Sequence, residues 1–198
     1  MFQIRIHGRG GQGVVTAAEL IAIAAFNDGK HSQAFPSFGV ERTGAPIEAF
    51  ARIDSKPIRT REHVYEPNVL IIQDSTLLAP LDNKHPTGLS AVDVTKGCDL
   101  KTLVIINTTK NKNQLKTLTN KLPAKNIFPL DAAKIAMDTL GKNIVNTVIL
   151  GAFAKVSGLV SLKSLKKAIE QKFKEKGEEI VNKNIKAIEK AYTIMLIR

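Results

Sequence analysis

Apolar residues follow two different spacings along the chain, and these spacings predict a succession of strands and helices. Phe2 to His7 and Ile47 to Ile53 alternate apolar and polar residues, which is typical of strands with one buried face. Short continuous apolar runs instead indicate strands covered on both faces, as in a parallel sheet. A further strand is predicted at 31–35, a short hairpin partner at 58–61, and continuous apolar strands at 68–73, 89–94, 103–107 and 127–130.

Helical spacing occurs once near the N-terminus and then dominates the second half of the chain. Val14 to Phe26 is apolar on almost every side, so this helix is expected to be buried in the core or against a partner. Asp131 and Ser161 are suitable N-caps for two later helices. Further helices are predicted at 111–121, 131–140, 144–156, 162–173 and 181–195. The alternation predicts an α/β fold: a single domain over 1–198, with a mainly parallel twisted sheet flanked by helices and a helical C-terminal third.

The formal charge of +11 raises the question of an acidic partner. From Lys155 to Arg198 there are eleven basic and five acidic residues, but lysines alternate with glutamates as on solvated helix faces. Aromatic residues make up 5% of the chain, and it has neither an arginine-rich tract nor a recognisable nucleic-acid module. We therefore expect no nucleic-acid partner.

Composition also limits the cofactors and the compartment. The single cysteine, Cys98, cannot form an intrachain disulfide or hold an iron–sulfur cluster, and the four histidines have no metal-site spacing. No apolar run approaches the roughly 18 residues of a membrane span. The N-terminus enters a strand directly, so we expect no secretory signal, no membrane association and a cytoplasmic location.

A glycine-rich segment, Gly8-Arg9-Gly10-Gly11-Gln12-Gly13, joins the first strand to the first helix. Glycines there allow close approach of the backbone, and helix amides favour an anion. The spacing also matches a dinucleotide loop, which requires an acidic residue after the second strand. That strand ends in Ala34-Phe35-Pro36, and Asp28 lies before it, so a free-standing NAD(P)-binding protein is the weaker alternative.

Two arginines are candidates for binding an anion. Arg9 lies within the glycine-rich segment, and Arg42 lies in a loop that follows the second strand. Both loops are expected at the carboxyl ends of strands, where ligands bind in open α/β sheets. Alternatively, Arg42 pairs with Glu41 or another neighbour and only shapes its loop.

The glycine-rich segment and the segment Gln33-Ala-Phe-Pro-Ser-Phe-Gly-Val-Glu-Arg-Thr-Gly-Ala-Pro46 together resemble the gamma subunits of the 2-oxoacid:acceptor oxidoreductase family. Supporting matches extend over essentially the whole chain, at Glu66 to Gln73, at Asn146 to Gly151 and around Asn184. The sequence from Glu41 to Pro46 is more similar to that of pyruvate:ferredoxin oxidoreductases than to that of 2-oxoglutarate or branched-chain 2-oxoacid enzymes, which remain alternatives.

The resemblance implies a subunit of an enzyme that converts a 2-oxoacid and coenzyme A (CoA) to acyl-CoA and carbon dioxide, with electrons passing to ferredoxin or flavodoxin. It implies alpha, beta and delta subunits as partners, with thiamine diphosphate and iron–sulfur clusters in those subunits. This chain would hold no redox centre or catalytic residue, would be inactive alone, and would shape the CoA path. The residues expected to face CoA or the thiamine diphosphate subunit are Gly8, Arg9, Gly10, Gly11, Gln12, Gly13, Glu41, Arg42 and Thr43.

Overall fold

The computed structural model describes residues 1–37, 43–78 and 92–195. Six strands occur in these ranges: β1 (Phe2–Arg9), β2 (His31–Pro36), β3 (Pro46–Asp54), β4 (Val69–Ile72), β5 (Leu103–Asn107) and β6 (Ile127–Leu130). The α-helices are α1 (Val14–Asn27), α2 (Lys116–Thr119), α3 (Ala132–Leu140), α4 (Val145–Ser157), α5 (Leu162–Phe173) and α6 (Glu178–Ile194).

The six strands form one mixed sheet in the order β2-β3-β1-β4-β5-β6. β1, β4, β5 and β6 are parallel to one another, whereas β3 is antiparallel to both of its neighbours, β1 and β2. The predicted α/β fold with its parallel strands and helical C-terminal third is therefore confirmed. The prediction of one domain over 1–198 stays a prediction, since it includes residues outside the described ranges.

Each face of the sheet buries its own apolar cluster. Val69 and Ile71 face the larger cluster, which is completed by α1 and α3 to α6. Leu70 and Ile72 point the other way, into a smaller cluster that includes Leu118. This alternation follows from the two-residue period of a strand, and it explains why β4 is apolar at every position.

The apolar helix α1 is buried by its own chain. Leu20, Ile21 and Ala24 are fully buried against the sheet and the other helices of the larger cluster, whereas Phe26 is 73% exposed. The sequence left open whether α1 is buried in the core or against a partner, and the structure shows that it is buried in the core. In the described ranges, no helix has the length and apolar content needed to cross a bilayer.

Three predicted elements differ from the structure. Residues 58–61 form no strand, because β3 already has a strand on each side and offers no free edge. Of the strand predicted at 89–94, the described residues 92–94 are not extended in a sheet. The carbonyl of Val94 accepts a hydrogen bond from Nη2 of the buried Arg5, which holds this segment beneath the sheet instead.

The helix predicted at 111–121 is broken into two short pieces. Asn111 and Gln114 form a reciprocal capping box around a single turn of 3₁₀-helix at Lys112–Gln114. Leu115 then leaves the helical conformation with φ −91° and ψ 55°, and α2 follows with only four residues. Local side-chain capping therefore overrides the helical spacing here.

Candidate functional site

The glycine-rich segment lies at the carboxyl edge of the sheet, where the chain changes direction. From β1 the chain passes through α1 to β2 on one side, whereas β4, β5 and β6 extend from β1 on the other side. The gap between the carboxyl ends of β1 and β4 is therefore the topological switch point, at which open α/β sheets bind ligands. Gly8 and Arg9 still belong to β1, paired with Ile47 and Pro46 of β3, so the loop itself begins at Gly10.

Two glycines of this segment are required by close packing. A Cβ on Gly8 would lie 2.6 Å from Cγ2 of Val14. Gly13, the N-cap of α1, has φ 73°, and a Cβ there would lie 2.2 Å from Nδ2 of Asn146. The glycines thus bring the start of α1 directly against the start of α4.

The second predicted loop also meets the glycine-rich segment. The amide of Gly10 donates to the carbonyl of Ala45 (2.9 Å), and the amide of Gly44 donates to the carbonyl of Gly10 (3.1 Å). A Cβ on Gly11 would lie 3.8 Å from the methyl carbon of Thr43. Thr43 therefore lies beside the glycine loop, whereas Glu41 and Arg42 lie outside the described residues.

Arg9 is held by several groups on neighbouring elements. Its Nε is 3.2 Å from Oδ2 of Asp74, its Nη2 donates to Oγ1 of Thr76 (2.8 Å), and its Nη1 donates to the carbonyl of Gly44 (3.1 Å). The guanidinium consequently joins the edge of β4 to the second loop. This differs from the free anion-binding fork that its position in the sequence suggested.

Asp74 is the important residue that the sequence analysis missed. Its Oδ2 accepts hydrogen bonds from Arg9 and from Nε2 of Gln12, and its Oδ1 accepts from the amide and hydroxyl of Thr76. Burial acts to raise the pKa of this carboxyl, but the hydrogen bonds from Thr76 and Gln12 and the charge of Arg9 outweigh it and lower the pKa. The available signal was a carboxylate two residues after a buried strand.

A cleft of about 250 Å³ opens between the glycine loop, the end of β4 and the start of α4. Four carboxamide side chains line it, together with Asp74 and Ser75, and its lining includes no lysine or arginine from the described ranges. The carboxamides are those of Gln12, Gln73, Asn107 and Asn143. The cleft is therefore rich in groups that both donate and accept hydrogen bonds, and it contains no cation.

The residues that a dinucleotide or a metal would use are arranged differently. The Asp28 carboxylate accepts hydrogen bonds from the amide and hydroxyl of Ser161, both at 2.7 Å, and so ties the end of α1 to the N-cap of α5. It lies at the opposite end of β2 from the glycine loop and cannot reach a ribose there. Among residues 1–37, 43–78 and 92–195, no three His, Cys, Asp or Glu side chains group as metal ligands.

Cys98 is half-buried, with its sulfur 4.0 Å from Nη2 of Arg5. Burial raises the pKa of this thiol, which disfavours the thiolate needed for nucleophilic or metal chemistry. The geometry agrees with the sequence-based interpretation of Cys98 as a lone thiol in a loop.

Comparison with known proteins gives a consistent result. The model of the pyruvate ferredoxin/flavodoxin oxidoreductase family matches residues 3–194. The chain is 50% identical to pyruvate synthase subunit PorC of Methanosarcina barkeri over 169 residues, which cover 85% of each chain. It is 47% identical to the pyruvate/ketoisovalerate oxidoreductases common subunit gamma of Pyrococcus furiosus over 192 residues, which cover 97% of this chain and 96% of that one.

A solved structure is similar over nearly the same length. The crystal structure of pyruvate oxidoreductase subunit PORC from Thermotoga maritima matches with a TM-score of 0.78 and 34% sequence identity, covering 97% of this chain and 95% of that one. The family model and this structure therefore both match nearly the whole chain, and the matched residues 3–194 include the glycine loop and almost all of the helical C-terminal third.

Proposed function

Since the chain belongs to the pyruvate ferredoxin/flavodoxin oxidoreductase family, we propose that it is the gamma subunit of a multi-subunit enzyme that converts pyruvate and CoA to acetyl-CoA and carbon dioxide. The observation that carries this proposal is the identity of 47–50% to gamma and PorC subunits over 85–97% of this chain. Electrons pass to ferredoxin or flavodoxin, and the companion chains are the alpha, beta and delta subunits. The cytoplasm stays the compartment that the sequence predicts.

Thiamine diphosphate and iron–sulfur clusters belong to the companion subunits in this proposal. Thiamine diphosphate supplies the chemistry that breaks the carbon–carbon bond of the 2-oxoacid, and the clusters carry single electrons. The residues of this chain do not suit a cluster, because its single thiol is half-buried and has a raised pKa. In this proposal, the role of the chain is to bind CoA and orient it toward the companion subunits.

The residues proposed to face the CoA path belong to two segments. They are Gly8 to Gly13 in the glycine-rich segment, and Glu41, Arg42 and Thr43 in the loop that follows β2. Support comes from the contacts that join Gly10 to Gly44 and Ala45 at the carboxyl edge of the sheet. Because Arg9 is already paired with Asp74, Arg42 is the arginine of this region that we propose for a CoA phosphate.

Replacement of Arg42 tests this role in the enzyme assembled with its companion subunits. Omitting the chain should abolish CoA-dependent turnover. Arg42→Ala should raise the KM for CoA about tenfold, the effect of losing one charge-assisted hydrogen bond, with the KM for pyruvate unchanged. The matched control is Arg59→Ala, an exposed arginine in the segment that follows β3 at the opposite edge of the sheet. An unchanged KM for CoA and unchanged kcat in an intact Arg42→Ala complex would contradict the proposed role of Arg42.

A second candidate concerns the substrate of the complex. The relative from Pyrococcus furiosus is described as a subunit common to pyruvate and ketoisovalerate oxidoreductases. We therefore also consider that this chain serves a branched-chain 2-oxoacid enzyme. Affinity purification from the native organism distinguishes the two: one set of companion subunits is expected for a pyruvate enzyme alone, and two sets for a shared subunit.

A further inference from the structure

A second cavity, of about 400 Å³, opens among the helices of the C-terminal third and shares only Ile144 with the lining of the cleft. Four apolar side chains from α3, α5, α6 and the segment before α4 line it: Leu140, Ile144, Phe173 and Ile180. Ile144 is 44% exposed and Ile180 is 42% exposed, so this apolar surface faces solvent. Contiguous exposed apolar surface with a polar border is typical of interaction sites.

Three exposed lysines, Lys142, Lys176 and Lys183, line the same cavity from three different segments, and we call it the lysine-lined cavity. Lys183 pairs with Glu179 on α6, whereas Lys142 and Lys176 pair with no carboxylate in the part of the chain that the structure describes. Nζ of Lys176 lies 5.0 Å from the centre of the Phe173 ring. Two cations without an acidic partner therefore border the exposed apolar surface.

The buried polar side chains of the lysine-lined cavity are already paired within the chain. Oδ1 of Asn184 accepts from the hydroxyl of Thr147 (2.7 Å), and its Nδ2 donates to the carbonyl of Ile180 (2.8 Å). Oδ1 of Asn146 accepts from the amide of Thr147 (2.9 Å), and its Nδ2 lies 3.4 Å from the carbonyl of Gly13. The lining, all of it described, includes no buried side-chain atom without a partner, so it lacks the fixed polar groups that orient a small ligand. An apolar centre with a charged border is instead the anatomy of a protein interface.

We propose that the lysine-lined cavity is a docking site for a companion subunit, which inserts a segment that carries apolar side chains flanked by carboxylates. The apolar side chains cover Ile144 and Ile180, and the carboxylates lie near Lys142 and Lys176. Because Ile144 borders both the cavity and the cleft, the docked segment lies next to the cleft and fixes its position relative to the companion subunit. This inference rests on the proposed function, since it assumes that the chain works beside companion subunits.

Charge favours this occupant over a second copy of the chain or a nucleic acid. Two copies joined symmetrically at this surface would bring the same lysines of both copies together, and like charges that face each other oppose association. A nucleic acid would pair with the lysines through its phosphates but would leave Ile144 and Ile180 uncovered. An acidic segment with an apolar centre matches the cations and the apolar surface together.

A zero-length carbodiimide crosslinker, which joins an amine to a carboxylate in direct contact with it, tests the site in the assembled enzyme. Lys142 or Lys176 should be joined to an aspartate or glutamate of a companion subunit, in a peptide with apolar residues beside the acid. Lys142→Arg/Lys176→Arg keeps both charges and removes both amines, so it should assemble normally and lose these crosslinks. Crosslinks from these lysines only to a second copy of the chain, or none while other lysines react, would overturn the proposal.

Affinity purification of tagged variants from the native organism measures their assembly. Lys142→Glu/Lys176→Glu should recover about tenfold less of the companion subunits than wild type at low salt, and the difference should shrink as salt screens the charges. Ile180→Ser should also recover about tenfold less, with little dependence on salt, because it loses an apolar contact.

The matched controls are Lys101→Glu/Lys125→Glu and Leu100→Ser, which change exposed residues that precede β5 and β6 at the opposite edge of the sheet and should assemble like wild type. An unchanged Tm of each isolated variant chain shows that it folds. If the wild-type chain recovers companion subunits and both cavity variants recover as much, the docking site is wrong and the proposed function stands. Normal assembly with a raised KM for CoA would identify a small-molecule site and overturn docking. If the wild-type chain recovers no companion subunit, the proposed function fails, and the docking site fails with it.

Discussion

At the scale of single residues, the Arg9–Asp74 pair changes what the glycine loop can do. The guanidinium is shared between Asp74, Thr76 and the carbonyl of Gly44, so its charge is already compensated. Gln12 extends the same network, since its Oε1 accepts from the amide of Arg9 at 2.8 Å and its Nε2 donates to Asp74 at 3.0 Å. The loop is thereby held rigid, as a binding wall must be.

His7 is a buried base on β1. It is 4% exposed, and burial lowers the pKa of its imidazole to about 3, with the charge of Arg5 acting in the same direction. Oε2 of Glu48 lies 3.8 Å from Nε2, and the charge of Asp93 acts to raise the pKa of His7 but does not offset the burial. The folded protein therefore holds His7 neutral over the pH range in which it becomes charged in the unfolded chain.

His7 should make the protein sensitive to mild acid. Because the folded-state pKa of about 3 lies below the ordinary histidine value of 6.5, the unfolded state binds one more proton between these values, and stability falls as pH falls through this window. The expected slope is at most about 1.4 kcal/mol per pH unit. The free energy of unfolding is measured with urea between pH 7.5 and 4.5 for wild type and His7→Gln. It should fall less steeply with falling pH in His7→Gln than in wild type.

The control for this prediction is His31→Gln, which changes an exposed histidine at the start of β2 and should retain the wild-type slope. The carboxyl groups with lowered pKa values, such as Asp74 and Asp93, lose their contribution only as pH falls through still lower values. Equal slopes for wild type and His7→Gln would refute the assignment of the acid sensitivity to His7.

At the scale of elements, buried arginines attach irregular segments to the sheet. Arg52 on β3 is fully buried, and its guanidinium donates to the carbonyl of His63 and to the side chains of Gln3 and Gln33. Arg5 on β1 holds Val64 and Val94 in the same way on the same face. These contacts explain why the sequence around 58–66 crosses the sheet and does not form a further strand.

Two helix backbones approach each other closely where α4 crosses α6. A Cβ on Gly151 would lie 2.1 Å from the carbonyl oxygen of Ile188 and 3.0 Å from Cβ of Ala191. Asn146 on α4 and Asn184 on α6 both line a cavity of about 400 Å³. Thr147 and Asn184 are also joined directly, by a hydrogen bond of 2.7 Å.

Gly151→Ala should therefore destabilise the protein. Intrinsic helix propensity alone predicts a gain of about 1 kcal/mol for this change, whereas the clash with Ile188 predicts a loss of about 2 kcal/mol or more. Chemical denaturation of the isolated chain measures whether the free energy of unfolding falls or rises in Gly151→Ala. A variant that is as stable as wild type, or more stable, would show that α4 and α6 are not in this close contact.

At the scale of the whole molecule, the chain has the features expected of a subunit. Its glycine loop and cleft lie at the carboxyl edge of the sheet, and the described residues include no group of three His, Cys, Asp or Glu side chains that could hold a metal ion. In the proposed division of roles, this chain binds and orients substrate, and the companion chains hold thiamine diphosphate and the clusters.

We therefore expect iron in the assembled complex but not in this chain when it is isolated. Purification of the tagged chain from its native organism is expected to recover companion subunits, with iron and visible absorbance in that complex. The chain expressed alone should be colourless and free of iron, because one half-buried thiol cannot hold a cluster. A stoichiometric cluster in the isolated chain would contradict the proposed division of roles.

The sequence by itself determined the main strands and helices, the glycine loop and the family, because these depend on local spacing and on residue types close together in the chain. Only the tertiary structure decided that Asp74 pairs with Arg9, that Gln73 lies buried at the cleft and that Asn143 lines the same cleft. These residues lie 60 to 140 positions from the glycine loop along the chain, so strand order and helix packing bring them together. Hydrophobic periodicity carries no information about which distant polar groups will meet.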